Sequence, residues 1–432
     1  MALTNVAYGS DQALTLQSAG LFASCMQRPT TLNRLAGKMP QQAQAESDLR
    51  FQSKGTYPIV RVKDLQRMAG DNVTFDLIYP MGGKPIMGSN YAEGRGYAMK
   101  FDQDSCKINQ TRYPISAGDT MSQQRTVHQL RSLARNQGYN YMARLDDQKL
   151  MVHLAGARGF HEGGEWVVPL ASDSDFATIM VNTVRAPSNN RHFLSTGSSI
   201  ESFNANGAEV GIQSTDVMNT TVIDAVRTWL DGTHFPPPPV VFEGDQMAQD
   251  APIRVLLVSS EQYTSIVQST NFRSLQATAM SRAAAAKNNP IFMGEAGLWN
   301  GILIVKMPKP IRFYAGNAIN WCASATSSTE TTTDLVPAAF GTDYAVDRAL
   351  LLGGQAVVQA FGNYRTTDGK KMNGPYFMSE KSLDHGDKLE ILLGAIDGIS
   401  KIRFTFDHGD QEEPTDFGVV AIDTAVRLLN GV

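Results

Sequence analysis

The stretch Ser116–Gly156, SAGDTMSQQRTVHQLRSLARNQGYNYMARLDDQKLMVHLAG, is the longest helical signal in the chain, and its reading decides the fold. Ser116 or Asp119 offers an N-cap, and Met121, Val127, Leu130, Ala134, Tyr141, Leu145 and Val152 then recur at near-helical spacing. Gly138 is expected to bend or break the helix. At 1.5 Å per residue, a helix over most of this stretch spans roughly 40 to 50 Å, more than an ordinary compact domain is wide. Such a rod suits a flat, elongated subunit. The alternative is two ordinary helices meeting at Gly138 inside a globular enzyme.

The 432 residues suffice for a large core divided into two or more lobes. A net charge of -4 makes the whole surface no general trap for nucleic acid. Charged residues are 19% of the chain and glycines number 37, a balance that favours strands and turns with surface hidden against neighbours. Cys25, Cys106 and Cys322 lie far apart, which argues against a zinc site and a disulfide framework, and fits a reducing compartment. No basic leader precedes an apolar core at the N-terminus, and no apolar run reaches the ~18 residues of a membrane span. The expectation is a soluble, cytosolically made chain.

Residues 1–56 read as an arm. A short amphipathic helix is expected over Asp11–Met26, ended by Arg28-Pro29, and Thr31–Lys54 is polar, Gln-rich and unable to fold alone, so it is expected to lie on a neighbour. Between Arg28 and Arg67, eight basic residues, among them Arg28, Arg34 and Lys38, face three acids. That bias suits a solvated or subunit-facing surface, or contact with packaged nucleic acid. Further on, VTFDLIYP from Val73 and CKINQTRYP from Cys106 alternate as strands do, and between them runs MGGKPIMGSNYAEGRGYAMKF, too rich in glycine for a core of its own. The excursion is expected to be a protruding hairpin that docks on something, with Lys84, Tyr91, Glu93 and Arg95 as contact residues.

A second amphipathic helix is expected over Thr215–Leu230, and Pro236–Pro239 reads as a stiff spacer and the best internal boundary. Beyond it the pattern predicts strands at Ile253–Val258, Gly301–Val305, Leu389–Gly394, Ile399–Asp407 and Val419–Ile422, and helices at Glu261–Ala286 and Asp343–Ala360.

Enzymatic motifs are weak. His161-Glu162-Gly163-Gly164-Glu165 stands one letter from a zincin motif, but its two glycines disfavour the helix that motif needs, and a Gly turn is the better reading. The tetrad DHGD occurs at Asp384–Asp387 and Asp407–Asp410; its carboxylates suit a turn or, less well, a divalent cation. No nucleotide-binding loop, nucleophile elbow or readable triad is present, and no cofactor is expected.

Three stretches, taken together, resemble the major capsid proteins of tailed bacteriophages, specifically the family typified by the coliphage called N-four. The first runs from Asp76 to Gly156 through Gln110-x-Arg112 and Ser122-Gln123-Gln124-Arg125. The second is Asn289–Gly294 followed by Gly297-Leu298-Trp299-Asn300-Gly301. The third is Arg348–Ala356, RALLLGGQA, joined to Ile402-Arg403-Phe404 and Asp416-Phe417-Gly418-Val419. Together they extend from about Val73 to Val426.

The resemblance implies an α+β, Hong-Kong-97-type shell fold: an N-terminal arm at 1–56, an extended loop at 74–111, and a peripheral domain at 57–73 and 112–251 carrying the spine helix 116–156. An axial domain follows at 252–401, and a return strand of the peripheral domain at 402–432; residues 185–250 match least well. It implies self-assembly into hexamers and pentamers around double-stranded DNA held by non-specific contact, with a portal protein at one vertex. The arm lacks a sustained charged helix, so a separate scaffolding protein is expected, and a decoration or cement protein fits the same picture. The basic arm and the acidic run with Glu412, Glu413 and Asp416 have opposite sign and are expected to meet between subunits. Two rivals remain: a tail or ring component, and a metal-dependent hydrolase using the DHGD tetrads or His161.

Overall fold

The computed structural model describes residues 30–37, 53, 55–63, 65, 70–78, 85–87, 93–96, 101–162, 166–203, 205–206, 209–242, 252–268, 297–364, 375–407 and 412–428. The expected helix over Asp11–Met26 lies outside them. Within them are six helices: α1 (Thr31–Leu35), α2 (Thr120–Arg125), α3 (Leu130–Ala155), α4 (Phe176–Met180), α5 (Thr220–Gly232) and α6 (Ser260–Val267).

Two large sheets carry the architecture. The first is ordered β1 (Ile59–Val62), β16 (Val357–Phe361), β18 (Lys388–Lys401), β17 (Tyr376–Leu383), and the long β18 also pairs with β4 (Asn109–Asp119). The second is ordered β10 (Gly297–Trp299), β11 (Ile302–Lys306), β9 (Arg254–Val258), β15 (Tyr344–Leu352), β21 (Val419–Arg427), β5 (His192–Ser195), β6 (Ile200–Ser202), with β12 (Arg312–Tyr314) also on β15. A small sheet joins β13 (Ala318–Trp321), β14 (Thr332–Leu335), β8 (Glu209–Val210) and β7 (Ala205–Asn206). Two ribbons complete the described strands: β2 (Asn72–Ile78) with β3 (Phe101–Lys107), and β19 (Arg403–Asp407) with β20 (Glu412–Asp416).

The eight-stranded sheet is covered on both faces. Leu256, Val258, Ile302, Ile304, Leu351 and Ile422 meet α5 and α6 on one face. Their alternates Val255, Leu257, Leu303, Leu350 and Val419 join Leu150, Met151 and Leu154 of α3 on the other. Alternate side chains of a strand point to opposite faces, so a doubly covered strand reads as one apolar run. This is why Asp343–Ala360, expected as a helix, is instead β15 and β16, both nearly wholly buried.

The long helix is shorter than its sequence signal. Ser116–Asp119 close β4, paired with Glu390 and Lys388 of β18, and Asp119 then caps α2 by accepting from the Ser122 N–H at 2.8 Å. The rod itself is the 26-residue α3, about 39 Å long, and ends on a left-handed Gly156. Gly138 does not break it. A Cβ there would lie 2.2 Å from Leu393 Cδ1 and 2.6 Å from Ile115 Cδ1, so the glycine lets the helix approach the sheet below it. Ala134 and Met142 meet Ile391, Leu393, Tyr376 and Met378 across that contact.

Other boundaries also shift. The expected helix Glu261–Ala286 begins as α6 under a Ser259–Gln262 capping box, and its later part lies outside the described residues. Pro236–Pro239 is not a free spacer: Pro238 O accepts from the Gly354 N–H at 2.9 Å and Pro237 O from Arg254 Nε at 2.8 Å. A Cβ on Gly353 would sit 2.4 Å from Pro238 O, which accounts for a glycine there. Nor does the chain divide as 252–401 and 402–432: β16, β17 and β18 belong to the sheet under α3, while β21 lies centrally in the other sheet between β15 and β5. Strand pairing across those limits makes each body discontinuous in sequence.

Arg348 of β15 joins the two bodies. Its Nε and Nη2 donate to Asp423 Oδ1 and Oδ2 on β21 at 2.7 and 2.8 Å, and its Nη1 donates to Ala155 O at the end of α3 at 2.8 Å. His192 Nε2 lies 2.8 Å from Asp423 Oδ2 and 3.0 Å from Arg348 Nη2, and its ring stacks on Phe203. Burial alone would raise the Asp423 carboxyl; Arg348 and His192 outweigh it and hold it well below the usual carboxylate range. Arg348→Met strands a buried carboxylate and is expected to cost about 3–5 kcal/mol of subunit stability by denaturant unfolding; a loss under about 1 kcal/mol contradicts the linking role.

Asp146 and Asp147 of α3 are both buried, and both carboxyls are pushed upward. Burial, with Asp397 nearby, pushes Asp146 up to about 7 although Tyr376 Oη donates to it at 2.6 Å. Burial raises Asp147 to about 6, opposed by the Leu32 N–H of α1, which donates to its Oδ1 at 2.9 Å. A raised folded pKa means a stability contribution present in full below the unfolded value of about 3.9 and lost as pH rises through the folded one. Asp146→Asn, fixed in the neutral form, therefore gains stability relative to the native chain as pH rises from about 5 to 8, read by unfolding at each pH; a constant difference sinks the assignment. Gly138→Val is expected to cost about 1–3 kcal/mol despite removing a glycine from a helix, and an unchanged melting transition rules out the close contact.

Candidate assembly surfaces

The β2–β3 ribbon pairs register for register from Asn72↔Lys107 to Ile78↔Phe101 and joins no other strand among the described residues. Its root is anchored by Val73 and Cys106, packed with Val60, Val358, Phe404 and Phe406. Gly398 of β18 admits the root: a Cβ there would meet Lys107 O at 1.9 Å. Farther out, Pro85–Met87 and Glu93–Gly96 are exposed, and Met87 keeps 71% of its surface in solvent. Exposed apolar side chains on a segment between two strands that join no sheet are the kind of surface that marks a contact with another molecule.

The sequence-predicted contact residues separate into three groups. Glu93 and Arg95 are exposed on the excursion; Lys84 and Tyr91 lie outside the described residues, as do Arg28 and Lys38 of the arm. Arg34 is exposed on the last turn of α1, and Glu412 is exposed on β20. Glu413 is half-buried and accepts from Asn190 Nδ2 at 3.1 Å. Asp416 is a correction. It is 1% exposed and receives Lys401 Nζ at 2.7 Å and Arg403 Nε at 2.8 Å, so its charge is spent inside its own chain.

Burial alone would raise Asp416, but Arg403 and Lys401 hold it at about 2; burial in turn lowers Lys401 to about 8 against the pull of Asp416. The two cations draw the carboxyl down, whereas Lys401 goes down because burial, with Arg403 beside it, outweighs the single carboxylate. The described part of the arm also departs from expectation. Leu32 and Leu35 of α1 pack into the chain's own core rather than on a neighbour, and Arg61 Nη2 donates to Asn33 Oδ1 at 2.7 Å.

One surface was not foreseen. Arg131 and Arg135 fasten the start of α3 to Glu380 of β17, with Arg131 Nη2 2.6 Å from Glu380 Oε2, and beside this clamp Met121, Val127 and Leu133 stand exposed, Val127 fully. All three fall within the helical signal, and Met121 and Val127 belong to its apolar series. Val127 lies in the break between α2 and α3 over residues 126–129, outside both helices. A stretch of polar residues flanking lone apolars, SQQRTVHQLR, is the signal that could have revealed it.

The first of the DHGD strings is a turn. Asp384–Gly386 form a turn between β17 and β18 with Asp384 and His385 at positive φ, and Lys388 Nζ pairs with Asp384 at 2.9 Å. Most of the second tetrad, and Gly163–Glu165, lie outside the described residues. His161 Nδ1 is 3.0 Å from Tyr314 Oη. Among the described residues no group of three or more His, Cys, Asp or Glu is arranged to hold a metal, and no helix is long and apolar enough to cross a membrane.

Trp299-Asn300-Gly301 turns the β10–β11 hairpin with Asn300 and Gly301 both at positive φ, as a tight two-residue hairpin requires. Trp299 Nε1 and Asn300 Nδ2 both donate to Asp224 Oδ1 of α5, at 2.7 and 3.1 Å. This string is thus a structural corner that fixes α5 on the sheet.

The chain matches the phage capsid protein family over residues 5–428. Among solved structures it is similar to the capsid of Ralstonia phage GP4, with 26% identity, a TM-score of 0.67 and 100% of each chain covered. It is similar in fold to the Cyanophage Pam1 capsid asymmetric unit, with 15% identity, a TM-score of 0.55 and 86% and 89% of the two chains covered. The acid-stable capsid of Helicobacter pylori bacteriophage KHP30 matches at 10% identity with a TM-score of 0.53, covering 93% and 92%. No curated protein matches by sequence. With a doubly covered sheet, a rod over a second sheet and a free-standing ribbon matched from end to end, the chain belongs to the phage capsid protein family and has its Hong-Kong-97-like fold.

Proposed function

We propose that this chain is the major capsid protein of a tailed phage of the N-four type, that it closes into hexamers and pentamers, and that these build the icosahedral shell around double-stranded DNA. The observation that carries the reading is the β2–β3 ribbon, which pairs with no sheet of its own chain among the described residues and whose intervening segment leaves Ile86 exposed. A neighbouring copy is the natural cover for such a surface, and head-to-tail contacts that close by rotation give rings of copies.

In this reading the α3-bearing sheet is the peripheral body, the eight-stranded sheet is the axial body, the ribbon is the extended loop and residues 1–56 are the arm. The rod and the Arg348 link keep the tile stiff in its plane; ribbon and arm adjust at its edges. Glu412 remains a candidate partner for arm cations such as Arg34 on a neighbouring copy, whereas Asp416 does not. The chain has no catalytic duty in this scheme. Assembly takes place in the host cytoplasm with a separate scaffolding protein, a portal at one vertex and, where present, a decoration protein.

Deletion of residues 84–95 tests the reading. Size-exclusion chromatography and thermal unfolding are expected to show a soluble, folded subunit with a near-native transition, while negative-stain images show no closed shells. Closed shells of normal size from the truncated chain, or an unfolded truncated subunit, contradict it.

A further inference from the structure

The ribbon's attachment to its own body has an unusual form. Strand β3 and strand β19 run side by side in opposite directions, yet no ladder joins them. Instead, each of two carboxylates accepts from both. Asp102 takes the Gln103 N–H on Oδ1 at 2.8 Å and the Thr405 N–H on Oδ2 at 2.6 Å. Asp104 repeats the arrangement two residues on, taking the Ser105 N–H at 2.8 Å and the Arg403 N–H at 3.0 Å. The edges of both strands thus present donors to one gap, and two acids bridge them.

Neighbouring groups hold this gap in place. Arg185 donates through Nη1 and Nη2 to both oxygens of Asp104 at 2.8 Å. Asn182 accepts from the Lys107 N–H at 2.8 Å and donates to Lys107 O and Ile399 O, both at 2.9 Å. It follows Val181, a β-branched residue held at φ 65°, a conformation that costs about 1–3 kcal/mol and persists only where the surroundings impose it. Beside these groups opens a polar cavity of about 510 Å³, bounded by the ribbon root, residues 181–186 and the Ser328–Thr331 loop. The bridging residues Asp102, Asp104, Arg403 and Thr405 themselves line this cavity, so the bridges border open space.

We infer that Asp102 and Asp104 are positioning residues for assembly: their paired carboxylate bridges set the angle at which the ribbon leaves the body, and the ribbon can swing by releasing them without breaking a sheet. The inference rests on the capsid reading for its purpose but not for its geometry. Side-chain bridges at strand edges break independently of the core, whereas a main-chain ladder shared with a sheet breaks with it.

Asp→Asn is the informative change. An asparagine keeps the shape and one acceptor oxygen, but turns an amide donor toward the second N–H. Amide hydrogen exchange of the unassembled full chain reads the bridges residue by residue. Asp102→Asn is expected to speed exchange at Thr405 or Gln103 about tenfold, the equivalent of one lost charge-assisted bond, and to leave Ser105 and Arg403 alone. Asp104→Asn is expected to do the reverse. The double variant should keep the α3 amides protected and the melting transition within a few degrees, yet yield shells of irregular size or none. Unchanged exchange at all four amides overturns the bridges. Loss of the folded subunit makes the acids part of core stability and overturns the positioning role, as do native shells in native yield from the double variant. Failure of the unmutated chain to form shells would instead count against the capsid reading, and the exchange data would still decide the bridges.

Discussion

A single buried guanidinium holds two bodies of this subunit in register. Arg348 sits at the centre of β15, 0% exposed, and spends its donors on Asp423 of the adjacent strand and on Ala155 O, one of the carbonyls that a helix end leaves without an intrahelical partner. A cation is favoured at that end by the helix dipole, and here it is fixed by a carboxylate beneath it. Removing water from such a cluster is costly, so its worth lies less in net stability than in allowing one geometry. The rod ends where Arg348 is, and the sheet passes through the same residue.

From that joint the remaining parts fall into rigid and adjustable classes. Leu150, Leu154, Val255, Leu257 and Leu350 form one continuous core around the joint, and α5 and α6 seal the opposite face of the sheet. The β2–β3 ribbon shares little of this core. Val73 and Cys106 at its root, with Phe75 and Leu77 farther along β2, pack on a separate small cluster, and on the β3 side the ribbon is held by side-chain bridges. A shell subunit needs this division, because one sequence must serve slightly different rotational environments without losing its own fold.

The sequence revealed the architecture unevenly, for physical reasons. The amphipathic α5 was legible because the helical period marks it, and β9 and β21 because each begins in a short apolar run set off by turn residues. β15 was misread because burial on both faces erases the period-two alternation that distinguishes a strand from a helix. The start of α3 was misplaced because Ser116–Asp119 are recruited to β4 by pairing with β18, hundreds of residues away in sequence. Arg348 was visible as part of RALLLGGQA, but its role was not, since Asp423 and His192 come together with it only in the fold. Asp102 and Asp104 carry no sequence signal for their role, and Asp416 looked like part of an acidic run facing another subunit. In each case the partner is supplied by topology, which composition and spacing do not encode.

The most direct measurement is a cryo-electron microscopy reconstruction of shells assembled from this chain, fine enough to compare copies in different environments. The account predicts that α3 and both large sheets superimpose as one unit in every copy, with the Arg348, Asp423 and Ala155 contacts intact, while the ribbon changes its angle at the root. A shell in which the two sheets shift against one another across a broken Arg348 cluster, with the ribbon fixed to its own body, would contradict it.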